Sequence, residues 1–195
     1  MSGAGLLPVL LERLSRDHAR IAGVIRHLSE LAEDPTGQPD WDRLDELIGF
    51  LDYYADSVHH PLEDRLFDHL VNKGLTPTER HLVFRNLGQH EELISMTGRL
   101  AAQVAEGRNG RIVDVAAFLE DVSAYVALQR RHMRFEENQL FPLLDQAFDY
   151  GDWNALMGIV DANGQDASER EPPGWDVSKR SASEKGAPSP QGAEL

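Results

Sequence analysis

Histidine and glutamate stand one helical turn apart at two places in the chain. In "RRHMRFEENQLFPLL" (130–144) His132 precedes Glu136 by four residues, and in "HHPLED" (59–64) His59 precedes Glu63 by the same interval. On a helix that spacing puts both side chains on one face. The face of the later pair also carries Tyr125, Leu128 and Leu140, and that of the earlier one Leu51, Ala55 and Leu66. Both pairs are therefore expected to point into a core. Two further histidines lie on apolar stripes: His18 between Leu14 and Ile21, and His90 among Val83, Leu87, Leu93 and Ile94.

A lone histidine on an apolar stripe is commonly a core residue bonded to a carbonyl, and a lone His/Glu pair is commonly a surface contact. Six such residues in a repeated order are a different matter. The chain reads twice as one His, then HxxxE, and "DHARIAGVIRHL" aligns weakly with "QHEELISMTGRL". Two glutamates buried without a cation would each meet a desolvation penalty of several kcal/mol. A metal supplies the missing charge. Four imidazoles and two carboxylates exceed one tetrahedral zinc site, and the mix suits iron or manganese. Two carboxylates from different helices can bridge two metals, with positions left open for oxo, hydroxo, water or a diatomic ligand.

Positioning these residues requires helices. Four long segments have helical periodicity: about Leu7 to Glu33, Asp40 to Asn72, Thr76 to Glu106 and Arg111 to Phe148, with a short helix near Asp152–Val160. Asp40 is a candidate N-cap, "TPTE" (76–79) a capping box, and "NKG" (72–74) a glycine-terminated end. Short loops between four helices predict an all-α, up-down-up-down four-helix bundle over residues 7–160. Pro61 falls inside the second helix and is expected to kink it, and Gly88 and Gly98 interrupt the third. From 163 to 195 the composition turns to Gly, Ser, Pro, Lys and Glu, and a disordered tail is expected.

Composition narrows the function. The chain has 195 residues, 19 basic and 33 acidic for a net charge of −14, and no cysteine. Nucleic acid is an unfavourable partner for that charge, and disulfides, thiol catalysis and iron–sulfur ligation are excluded. No apolar run is long enough for a membrane span and no signal peptide is evident, so a cytoplasmic protein is expected.

Taken together, "DHARI", "HHPLED", "QHEEL" and "HMRFEENQLFP" resemble the hemerythrin-like family, the HHE cation-binding domain, over about residues 7–148. The resemblance implies a helical bundle around a non-haem di-iron centre. Its two iron ions (Fe2+/Fe3+), bridged by oxo or hydroxo, would be held by His18, His59, Glu63, His90, His132 and Glu136. It also implies small ligands: dioxygen, nitric oxide or peroxide. Oxygen carriers of the family place two histidines one turn apart in the third helix. Here only His90 stands there, with Ile94 four residues on, and the pattern is closer to iron-centre repair proteins and sensing domains. The repair proteins usually carry a further cysteine-bearing domain, which this sequence does not show. His60 reads either as a fifth imidazole ligand or as a residue behind the ligands or at the surface. Tyr125 reads as a core aromatic or as a donor or redox partner for a bound ligand. Tyr53 and Tyr54 have no assignable face, and His27, His69 and His81 read as surface residues. The expected chemistry leans towards turnover of peroxide or nitric oxide; the alternatives are a dioxygen or nitric oxide binding module and a repair protein.

Overall fold

A computed structural model describes residues 7–32 and 39–164. These are all-α, with no strand among the described residues. Helix α1 (Leu7–Ala32) comes first. Helix α2 (Trp41–Phe50) runs without interruption into a π-helical segment (Leu51–His59) and α3 (His60–Val71). Next is α4 (Pro77–Arg108). Helix α5 (Val115–Phe135) likewise continues through a π-helical segment (Glu136–Leu140) into α6 (Phe141–Ala147), and α7 (Tyr150–Gly164) follows. The expected tail lies outside the described residues, apart from 163–164, which end α7.

Local chemistry sets the boundaries. The Asp40 side chain accepts from the Arg43 amide, and Thr76 and Glu79 form the expected capping box. Gly74 takes the left-handed φ of 81° that turns the chain after α3. The last long segment begins later than its periodicity suggested, because Asp114 caps it by accepting from the Ala117 amide. Gly88 and Gly98 do not break α4; both lie on its exposed side in open space.

Pro61 produces no break either. The π-helical turns before it bond residue i to i−5, as His60 N–H does to Ala55 O, and so accommodate the proline at the start of α3. Pro142 follows the second π-helical segment in the same way, after a Phe141 N–H to Glu136 O bond. The π turns also serve the stripes. Residues 51, 55, 59 and 63, and residues 128, 132, 136 and 140, are spaced strictly by four, which drifts about 40° per step around an α-helix. Wider turns cancel that drift and keep each stripe facing one way.

Helix α1 packs on α5 and α2, α2 on α4, and α4 on α5. The apolar side chains they bury form two clusters. One contains Ile21, Leu51, Leu93 and Leu128; the other contains Leu14, Leu66, Val83 and Leu140. Along α1 the chain passes from the second cluster to the first, along α2–α3 from the first to the second, along α4 back, and along α5–α6 forward again. At each changeover stands one of the histidines or His/Glu pairs.

Gly107 permits the close approach of α4 to Trp41, since a Cβ there would overlap the indole. Gly107→Ala is expected to cost about 1–3 kcal/mol and to lower the melting temperature by roughly 2–12 °C. Gly98→Ala, with open space around it, should be neutral or stabilising. Thermal melts of the two variants check this.

Candidate metal centre

Seven polar side chains meet where the two apolar clusters adjoin. Glu63, His132 and Glu136 are 0% exposed, His59 and His60 1%, and His18 and His90 2%. The two carboxylates stand in the middle. Glu63 lies 3.5 Å from His18 Nε2 through Oε1, and 3.4 and 3.6 Å from His59 Nε2 and His90 Nε2 through Oε2. Glu136 lies 3.2 and 3.3 Å from His18 Nε2 and His132 Nε2 through Oε2, and 3.3 Å from His90 Nε2 through Oε1. His60 stacks on His90 at 4.3 Å between ring centroids and meets the His132 ring edge-on at 5.3 Å.

Their donor atoms fall into overlapping sets in which every atom is within 4.8 Å of the others. His18, His59, Glu63 and Glu136 make one; Glu63, His90, His132 and Glu136 make another; His60, His90 and His132 make a third. The carboxylates are thus common to two neighbouring sets, each of which could hold a cation.

The outer nitrogens explain the orientation of the rings. His18 Nδ1 donates to Glu137 at 3.0 Å, His90 Nδ1 to Asp64 at 2.6 Å, and His132 Nδ1 to Gln89 Oε1 at 3.3 Å. His59 Nδ1 faces Asp17 across 3.6 Å and His60 Nδ1 faces Asp56 across 3.2 Å. Carboxylate and amide oxygens only accept, so a ring proton belongs on the outer nitrogen, and Nε2 is the atom left to offer a lone pair to a cation at the centre. Accordingly, Nε2 of His18, His59, His60 and His132, both oxygens of Glu63 and Oε2 of Glu136 have no hydrogen-bond partner. His90 Nε2 is hydrogen-bonded to Glu136 Oε1 at 3.3 Å; the unpartnered donor atoms, 3.2–3.5 Å apart, match ligands of one ion bonded at about 2.0–2.2 Å. The donor set fits a metal.

Without a metal, two imidazolium charges stand against the two carboxylates. Burial disfavours a charged His18, yet Glu136 and Glu63 hold its pKa up at about 11. His90 is likewise held at about 11, against burial, by Asp64, Glu136 and Glu63. His132, by contrast, is pushed down to about 3 by burial, despite Glu136 and with His90 and His60 adding to the effect. Burial also lowers His60. Against burial and the charge of Glu63, the imidazoles hold Glu136 down at about 2. Glu63 too stays well below the usual carboxylate range against burial, beside His59, His18 and His90.

All six histidines and glutamates expected from the spacing arrive together, and His60 joins them. The stripe proposed for α4 needs correction. Ile94 is exposed, and the inward neighbour of His90 is Asn86, four residues before it, whose Nδ2 donates to Glu136 Oε1 at 2.7 Å. Asn86 was missed, as were the outer partners. They follow a rule that the sequence contains: a residue beside one inward side chain supports a histidine of another helix. Asp17, beside His18, faces His59. Asp64, beside Glu63, holds His90; Gln89, beside His90, holds His132; Glu137, beside Glu136, holds His18.

A hemerythrin HHE cation-binding domain profile matches residues 9–144. The chain belongs to that family. Membership implies that it binds metal, specifically iron. No curated protein matches the chain.

Of the other histidines, His81 is exposed as expected. His27 and His69 are half-buried rather than free at the surface, and pair with Glu30 and Asp152. Tyr125 is fully buried, its hydroxyl is unpartnered, and burial, with Asp56 and Asp52, raises its pKa. Tyr54 is buried and donates to Asp17 at 2.6 Å, while Tyr53 is exposed. Among the described residues, no helix is long and apolar enough to cross a membrane.

Proposed function

We propose that the chain is a di-iron protein of the cytoplasm that handles a small ligand, with peroxide or nitric oxide turnover as its chemistry. One iron would be held by His18 and His59 and the other by His90, His132 and His60, with Glu63 and Glu136 common to both. The observation that carries this is the convergence of unpartnered Nε2 and Oε atoms at one buried centre. The alternating passage of the four rods between the two apolar clusters supports the up-down-up-down arrangement.

Each iron would take four or five protein donors, below the about six of an octahedral ion, which leaves room for a small ligand. Bound there, the pair would supply one-electron redox steps. The chain's own part is to orient the rings through Glu137, Asp17, Asp56, Asp64 and Gln89, to fix Glu136 through Asn86, and to exclude bulk water. Five imidazoles are present, but the fifth comes from α3 rather than from a histidine pair on α4, and this departure from the carriers favours turnover over storage.

Iron analysis of the purified protein, joined to spectra after addition of hydrogen peroxide or nitric oxide, tests the reading. About two irons per chain and catalytic consumption of either substrate are expected. A stable, reversible dioxygen adduct with no turnover would establish a carrier or sensor instead. His60→Ala is expected to keep about one iron, and His81→Ala both.

A further inference from the structure

The rings of the centre are not backed alike. The side chains of Asp64 and Glu137, behind His90 and His18, are 43% and 44% exposed, so water screens their charge. That of Asp17, which faces His59 Nδ1 across 3.6 Å, is 6% exposed. Its charge acts on His59 through the low-dielectric interior, where a carboxylate is felt several times more strongly. Asp56 is as deeply buried behind His60, but neither of its oxygens has a hydrogen-bond donor. Asp17 has one.

Tyr54, fully buried, donates to Asp17 Oδ1 at 2.6 Å, and Arg20 Nη1 donates to the Tyr54 oxygen at 3.0 Å. The Arg20 guanidinium also lies over the Tyr54 ring, 5.0 Å from its centroid, and Phe50 stacks on that ring at 5.1 Å. The other Asp17 oxygen, Oδ2, is the one that faces His59, with Arg13 Nε 3.9 Å from it. A line of polar atoms thus runs from Arg20 through Tyr54 and Asp17 to His59, whose Nε2 lies 3.4 Å from Glu63. The sequence supplies it. Arg13, Asp17 and Arg20 are spaced by four and three on α1 and share a face. Tyr54 stands five residues before His59, about 140° away on an α-helix, and the π-helical turns of Leu51–His59 narrow that angle.

We propose that Tyr54 is a positioning residue for the His18/His59 side of the centre, acting through Asp17 on the electron density that His59 gives its iron. This role rests on the di-iron reading above. A ring N–H held against a carboxylate makes the imidazole a stronger donor, and a stronger donor favours ferric over ferrous iron. The hydrogen bond from Tyr54 draws part of the Asp17 charge away from His59 and moderates that effect. Tyr54 thus sets the potential of an iron that it does not touch.

Redox titration of the iron-loaded, full-length protein tests this, with iron content and thermal melts to establish that each variant is loaded and folded. Tyr54→Phe removes the donor and leaves the full charge of Asp17 to His59, so a one-electron midpoint should fall. Asp17→Asn removes the charge, so that midpoint should rise. A tenfold change in ferric over ferrous affinity, about 59 mV for a one-electron couple, is expected in each direction. Tyr53→Phe, at an exposed position of the same segment, should leave the midpoints in place. Without iron, a crystal structure of Tyr54→Phe should show Asp17 moved into hydrogen-bond contact with His59 Nδ1, at about 3 Å. Midpoints that stay put, or that move the same way in Tyr54→Phe and Asp17→Asn, would overturn the proposal. So would loss of iron from Tyr54→Phe, because Tyr54 would then be holding the fold rather than tuning a ligand. A parent protein that binds no pair of irons defeats the di-iron reading itself, and this role with it.

Discussion

Glu136→Ala protein is expected to retain less than one iron per chain and to unfold well below the parent. Glu136 is fully buried and faces three imidazole nitrogens at 3.2–3.3 Å, from His18, His90 and His132. In the proposed site it serves both metals, so its loss weakens both sets of ligands rather than one. It also frees Asn86 Nδ2, which donates to it at 2.7 Å. Removing one partner from a buried charged cluster typically costs about 3–5 kcal/mol. Without iron the loss remains, because His18 and His90 owe their raised pKa in part to this carboxylate. Glu63→Ala should behave alike, as Glu63 faces His18, His59 and His90. Metal analysis and thermal melts check both variants, with His81→Ala, exposed and remote, as the control. Equal iron in all three would mean that other residues hold the metal.

The ligand candidates were legible because chemistry had to override packing. A histidine in a stripe of leucines is conspicuous, and its four-residue spacing to a glutamate survives any shift of helix ends. The strict recurrence by four at 51, 55, 59 and 63, and at 128, 132, 136 and 140, also held the π-helical turns in plain view. It reads as ordinary helix only if the drift of 3.6 residues per turn is ignored. His60 was less legible because residues 59 and 60 point in different directions from one helix, and only the third dimension brings His60 onto His90. Asn86 was hidden by direction: the stripe of α4 continues through His90 towards the N-terminus, to 86, and not forward to Ile94. The outer carboxylates were hidden because an acidic residue beside a ligand reads as a solvated one. That holds for half the surface of Asp64 and Glu137, and not for Asp17 or Asp56.

Iron-free and iron-loaded protein should differ most in how stability depends on pH. In the iron-free protein, His18 and His90 have pKa values raised to about 11. Their contribution is complete below the unfolded value of about 6.5 and is lost as pH rises from there towards 11, at up to about 1.4 kcal/mol per pH unit for each group. His132, lowered to about 3, and His60, lowered by burial, work in the opposite sense. Their contribution is complete above about 6.5 and is lost as pH falls. Glu63 and Glu136, both lowered, add to the acid loss below about 4.3, where the unfolded chain binds protons first. Stability of the iron-free protein should therefore peak near pH 6–7 and fall on both sides. Iron changes the alkaline side. With cations in place of protons, His18 and His90 need no charge, so the loss above pH 7 should largely vanish, while acid should still release metal because protons compete for the same nitrogens. Denaturant midpoints from pH 4 to pH 9 with and without iron measure this. Parallel curves on the alkaline side would mean that iron does not bind at His18 and His90.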